Sequence, residues 1–186
     1  MIIGITGSIG TGKTTVAGIF KSLGAYVIDA DKLVHRILDA PLRKKIGRYV
    51  FKDSLALKRL CGILHPIVKR EIALEIKKNR SRKVIVIDAP LLIEANVHKK
   101  CDSVIVVKAS YQKQLERARG NLALSLKQVK ERLKQQLPMR EKIAMADFVI
   151  DNGGSLRNTE KQVKKIWKVL TLPDGRGKKT TIGKVK

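Results

Sequence analysis

Apolar residues along the chain follow two rhythms. Short, near-continuous runs of strand length alternate with stretches in which apolar residues recur every three or four positions. The first run is Met1-Ile2-Ile3-Gly4-Ile5-Thr6, and Val16, Ile19, Phe20 and Leu23 follow at helical spacing until Gly24 stops them. Ala25-Tyr26-Val27-Ile28-Asp29 reads as a second strand and residues 32–38 as a second helix. Residues 39–80 interrupt the alternation and read as helical and strongly basic. Pro41 suits the opening of one helix there, and Pro66 the opening of a longer one through Ile67, Val68, Ile72, Leu74 and Ile76. Lys83-Val84-Ile85-Val86-Ile87-Asp88 and Asp102-Ser103-Val104-Ile105-Val106-Val107 are nearly apolar throughout, as strands buried on both faces of a parallel sheet are. Residues 112–119 form a helix, and residues 125–146 a polar helical stretch with Val129, Leu133 and Leu137 on one stripe. Phe148-Val149-Ile150-Asp151-Asn152 is a fifth strand, Gly153-Gly154 its turn, and residues 158–170 a last amphipathic helix with Val163, Ile166, Trp167 and Leu170. From Pro173 the chain has no periodicity and reads as a flexible basic tail, residues 173–186.

Five apolar strands, mostly separated by helices, predict an α/β fold with a five-stranded, doubly wound parallel sheet flanked by helices. The expected organisation is one domain over residues 1–172. Its core would be residues 1–38, 81–120 and 146–172, with a helical insertion at 39–80 and a helical hairpin at 121–145.

Between the first strand and the first helix lies Gly7-Ser8-Ile9-Gly10-Thr11-Gly12-Lys13-Thr14. It fits G-x-x-x-x-G-K-[ST], the loop that cradles nucleotide phosphates. Glycines let successive N–H groups close on an anion, and the positive end of the next helix points at it. Lys13 can place a cation between the β- and γ-phosphates, and Thr14 can put its hydroxyl on Mg²⁺. The strand–loop–helix context is the one the motif requires.

The second strand ends in Asp29-Ala30-Asp31, where an α/β sheet binds its ligands. Both acids could cap the helix that follows; beside a phosphate loop, Asp31 is better read as a site residue. Asp88, closing the third strand, is an acid placed to help hold Mg²⁺. His65, before a proline, reads as a helix-opening residue rather than a ligand. The basic stretch 125–146 is either a solvated face or a lid that closes over phosphates and excludes water.

Composition changes this picture little. The 186 residues are enough for a sizeable core, and no apolar run approaches the roughly 20 residues of a membrane span. The N-terminus runs straight into strand and loop, so a cytoplasmic location is expected. Cys61 and Cys101 have no metal spacing and read as free thiols. The net charge of +24, from 40 Lys+Arg against 16 Asp+Glu, attracts polyanions. Basic residues are spread along the whole chain and aromatics are only 4%, too few for bases to stack on. Small phosphorylated ligands therefore rank above nucleic acid as partners.

Several motifs resemble one known family. Gly4-Ile5-Thr6-Gly7 through Lys13-Thr14-Thr15, Val27-Ile28-Asp29-Ala30-Asp31, His65-Pro66, Asp88-Ala89-Pro90-Leu91-Leu92-Ile93-Glu94, Gln136-Leu137-Pro138 with Glu141-Lys142, and Ala146-Asp147-Phe148 through Gly153-Gly154 run in the order of the dephospho-coenzyme A kinases. These are P-loop NTPases of the nucleotide-kinase type, and the resemblance spans residues 1 to about 170. It implies transfer of the ATP γ-phosphate to the ribose 3′-hydroxyl of dephospho-CoA, with Mg²⁺, in a monomer or weak oligomer. It further implies that Ile9, Gly10, Thr11, Gly12, Lys13, Thr14 and Thr15 bind ATP and that Asp31 is the general base. His65, Pro90, Leu91, Leu92 and Glu94 would line the acceptor side, residues 39–80 would carry it, and Arg140 would act from the lid. Two departures stand out. The region before His65 is short, and an arginine pair of the family's lid helix is met at Arg117 but not at Asn121.

Overall fold

The computed structural model describes residues 1–38, 41, 46, 54–122 and 125–172. Expectations for most of 39–53 and for the basic tail at 173–186 lie outside those residues. In chain order the elements are β1 (Ile2–Thr6), α1 (Lys13–Ser22), β2 (Tyr26–Asp29), α2 (Ala30–Ile37), α3 (Ser54–Lys78), β3 (Ile85–Asp88), a 3₁₀ turn (Val97–Lys100), β4 (Ser103–Lys108), α4 (Tyr111–Leu122), α5 (Leu126–Lys134), α6 (Met139–Ala144), β5 (Phe148–Asp151) and α7 (Leu156–Thr171).

The five strands form one sheet in the order β2-β3-β1-β4-β5, and all four pairings are parallel. Strand register follows the two-residue alternation of side chains. Ile3, Ile5, Val84, Val86, Ile105, Val107 and Ile150 face one side, where α1 and α7 cover them with Val16, Phe20, Val163, Ile166 and Leu170. Ile28, Ile85, Ile87 and Val104 face the other, under Leu33 of α2 and Ile72 of α3. The three central strands are buried on both faces, which explains their continuous apolar runs. A third, smaller cluster packs Ile9 of the glycine-rich loop against Ala118 and Val129 of α4 and α5, with Leu115 and Leu133 beside them.

One expectation fails. Pro66 does not open a helix; it lies inside α3, which runs unbroken for 25 residues from Ser54 to Lys78. The missing N–H forfeits one bond to the carbonyl four residues back. Beyond it, Val68, Ile72 and Ile76 pack on the second core cluster, and that burial holds the helix together through the proline.

The strand order decides where a ligand sits. β1 lies between β3 and β4; the chain passes from β1 to the edge strand β2, returns to β3, and then crosses to β4 and β5 on the other side. The crevice of such a sheet opens at the carboxyl end of β1. The glycine-rich loop leaves β1 at that point.

Candidate active site

Residues 7–14 lead from β1 into α1 with backbone that only glycine adopts easily. Gly10 and Gly12 are left-handed, at φ 75° and 83°. Neither has room for a side chain: a Cβ on Gly10 would strike the backbone of Gln114, and one on Gly12 would strike Asn152 Nδ2. The loop folds on itself through Thr11, whose N–H and hydroxyl both donate to the Ser8 carbonyl, at 3.3 and 2.9 Å. Lys13 Nζ also donates to that carbonyl, at 3.2 Å. Thr14 and Thr15, in the first turn of α1, are exposed.

Three carboxylates gather at the carboxyl ends of β2 and β3, and two of them, Asp88 and Asp31, act on Lys13. Asp88, at the end of β3, is 6% exposed and takes a hydrogen bond from the Thr14 hydroxyl. Burial pushes its pKa up to about 6, against the pull of Lys13; Asp29 and Asp31 add to the rise. Asp31 opens to solvent at the mouth of the crevice. The surrounding walls displace enough water to raise its pKa, although the Lys13 ammonium opposes the shift. Asp29 is the N-cap of α2, accepting from Lys32 N at 3.0 Å. Asp29 thereby takes the cap, while Asp31 interacts electrostatically with Lys13. Burial lowers the Lys13 pKa, with Asp88 and Asp31 raising it and Lys142 adding to the depression.

Thr14 and Asp88 offer hydroxyl and carboxylate oxygens side by side, the hard donors that suit Mg²⁺. Among the described residues no group of three or more His, Cys, Asp or Glu is arranged to cage a metal. That fits an ion held by one or two protein oxygens and completed by phosphates and water.

The hairpin of α5 and α6 lies over the loop and is sewn to it. Ile9 N donates to Gln136 Oε1 at 3.1 Å. Leu137 N donates to Glu94 Oε1 at 2.9 Å. Lys142, fully buried on α6, pairs with the same Glu94 oxygen at 2.8 Å and donates to the Pro90 carbonyl at 2.8 Å. The Pro90 carbonyl also accepts from Thr6 Oγ1, just ahead of the loop, at 3.1 Å. Arg140, two positions away on α6, is exposed, as the roughly 200° between such positions on a helix requires. Arg132 of α5 and Asp31 interact across the crevice.

Among the residues expected to line the acceptor side the arrangement is mixed. Leu92 is fully buried beneath Gly4, in the core; Pro90 and Leu91 are half-buried. His65 Nε2 and Glu94 Oε2 are buried with no hydrogen-bond partner among the described residues. Burial lowers the His65 pKa, as does Lys69, while Glu94 opposes them. The sequence motifs include Gln136, Lys142 and Asn152, but set Lys142 only in or near the lid and assign no role to Gln136 or Asn152. Asn152 directly follows a strand end, as Asp88 closes one, and that placement was the available signal.

A model of the dephospho-CoA kinase family matches residues 1–41 and 40–158. The chain belongs to that family. Similar dephospho-CoA kinases include that of Aquifex aeolicus, 42% identical over 91% of this chain and 97% of its own, and that of Geobacter sulfurreducens, 37% identical over 89% and 96%. The solved dephospho-CoA kinase of Campylobacter jejuni superposes with a TM-score of 0.64 at 29% identity, covering 91% of this chain and 96% of its own. A shikimate kinase from Acinetobacter baumannii, at 18% identity and a TM-score of 0.59, shares the fold. The P-loop kinase architecture expected for the dephospho-CoA kinase family is thus the one observed. Among the described residues no helix is long and apolar enough to cross a membrane.

Proposed function

We propose that this chain is a dephospho-CoA kinase, transferring the ATP γ-phosphate to the ribose 3′-hydroxyl of dephospho-CoA to give CoA and ADP, the last step of CoA biosynthesis. The observation that carries the reading, within this family, is the electrostatic interaction of Asp31, in the first turn of α2, with Lys13, at the start of α1. Lys13 and the N–H groups of residues 9–15 hold the ATP phosphates. Asp31 orients the acceptor hydroxyl and takes its proton; its raised pKa makes it the stronger base. Thr14 and Asp88 would hold Mg²⁺, which when bound neutralises charge on the phosphate oxygens.

The α5–α6 hairpin acts as the lid and keeps water, a competing acceptor, from the reacting phosphate. Arg132 and Arg140 are its candidates for meeting developing charge. The unpartnered His65 Nε2 and Glu94 Oε2 favour a polar acceptor on that side, with α3 as part of the acceptor-binding insertion. A cytoplasmic, monomeric or weakly associating enzyme accords with this chemistry.

The test is a panel of acceptors with labelled ATP, run with Asp31→Asn alongside. Label should pass to dephospho-CoA. The variant should bind ATP and turn over about 10²–10⁴-fold more slowly. Phosphorylation of AMP or CMP in place of dephospho-CoA would refute the acceptor. A variant with near-normal kcat would remove Asp31 from its role.

A further inference from the structure

Thr11 and Gly12 share a peptide whose carbonyl is held from outside the loop. Asn152 Nδ2 donates to the Thr11 carbonyl at 2.8 Å, across 141 positions of sequence. Arg117 Nη1 reaches the same carbonyl at 3.4 Å, and Arg117 Nη2 donates to the Asn152 carbonyl at 2.9 Å. The Asn152 side chain is itself fixed: Thr159 Oγ1, on α7, donates to its Oδ1 at 2.8 Å. Both Asn152 and Thr159 are buried, at 5% and 0% exposure. A carbonyl can only accept, so the amide NH₂ must face Thr11 and Oδ1 the other way, where the Thr159 hydroxyl, which also lies 3.4 Å from the Ser155 carbonyl, holds it in that orientation.

A trans peptide is planar, with its C=O and N–H pointing in opposite directions. Pinning the Thr11 carbonyl toward Asn152 therefore aims the Gly12 N–H the other way, into the loop. The absence of a Cβ on Gly12 lets Asn152 come this close. We propose that Asn152 and Thr159 are positioning residues for the phosphate loop: Thr159 orients the Asn152 amide, and Asn152 holds the Thr11–Gly12 peptide so that its N–H meets the ATP phosphates. The proposal rests on reading residues 7–14 as the ATP site. It does not depend on which acceptor is used.

The experiment is direct titration of the full chain with ATP. Thr159→Val keeps the shape and removes the hydroxyl; it should raise the ATP Kd about fivefold, the effect of one lost orienting hydrogen bond. Thr159→Ser restores the hydroxyl and should return the Kd to within about twofold of the wild type. In an Asn152→Ala background, Thr159→Val should have no further effect, because Thr159 acts through Asn152. A general packing role predicts a lowered melting temperature in Thr159→Val with ATP affinity intact, and that result overturns the proposal. Equal effects of Thr159→Val with and without Asn152 also overturn it. The Val and Ser variants decide the matter even where Asn152→Ala does not fold. A wild type that binds ATP but leaves dephospho-CoA unphosphorylated refutes the acceptor and leaves this test standing.

Discussion

Lys142 is the most deeply buried charge among the described residues. Its ammonium has no solvent exposure, and its partner Glu94 retains 15%. Lys142→Met keeps most of the side-chain volume and removes the charge. Glu94 Oε1 would then keep only the Leu137 N–H, and Oε2 already has no partner among the described residues. Breaking a buried pair by removing one member costs about 3–5 kcal/mol, because the remaining charge is stranded. The surviving N–H bond and the residual exposure of Glu94 place this case near the lower end, about 3 kcal/mol.

For 186 residues, an unfolding entropy of about 0.4 kcal/mol per kelvin converts that loss to a fall of about 8 °C in Tm. Denaturant titration should give the same loss with an unchanged m-value. Adding Glu94→Gln replaces the stranded carboxylate with a neutral amide and should recover about half of the loss. A single variant within about 1 kcal/mol of the wild type would refute the argument. So would a double variant no more stable than Lys142→Met alone.

Other expectations follow from the same geometry. Asp88 holds its proton more tightly folded than unfolded, its pKa rising from 3.8 to about 6, so its contribution to stability is present below pH 4 and is lost as pH rises through 6. Asp88→Asn should therefore stabilise the metal-free protein at pH 7 by about 3 kcal/mol while lowering turnover; thermal melts from pH 4 to 8 would contradict this if both proteins showed the same pH dependence. As the general base, Asp31 must be ionised, so kcat should decline on the acid side from a higher pH than an ordinary carboxylate would give, and the limb should vanish in Asp31→Asn. Gly12→Ala forces a side chain into a left-handed position and onto Asn152 and should abolish measurable ATP binding; retained affinity in a titration would show that the loop tolerates a shift. Lys13→Ala should weaken both ATP binding and turnover, and unchanged kinetics would place Lys13 outside the phosphate site.

Legibility in the sequence tracks the range of the interaction that fixes each feature. β1, β3 and β4 are buried on both faces, so their runs are apolar without interruption and no partner need be known to find them. The glycine-rich loop is legible for a local reason as well: its motif spells out the glycines that the left-handed positions 10 and 12 require. α3 misled because Pro66 is a local signal for a break, whereas the burial of Ile72 against the sheet is a distant reason for continuity. The same holds at the site. By sequence either Asp29 or Asp31 could cap α2, and only the bond to Lys32 assigns the cap to Asp29.

Lys142 shows the limit most sharply. It is one of 40 basic residues in a chain with 16 acids, so its charge stands out from nothing around it in sequence. Burial and the pairing with Glu94, 48 positions earlier, single it out, and both arise only when α6 folds back onto the loop after β3. A basic excess that reads as a featureless surface therefore concealed a buried structural cation. In so basic a chain, residues such as Lys142 are identified by what their acids lack: Glu94, one of few carboxylates and pointed inward at the end of an apolar run, is the residue that required a partner.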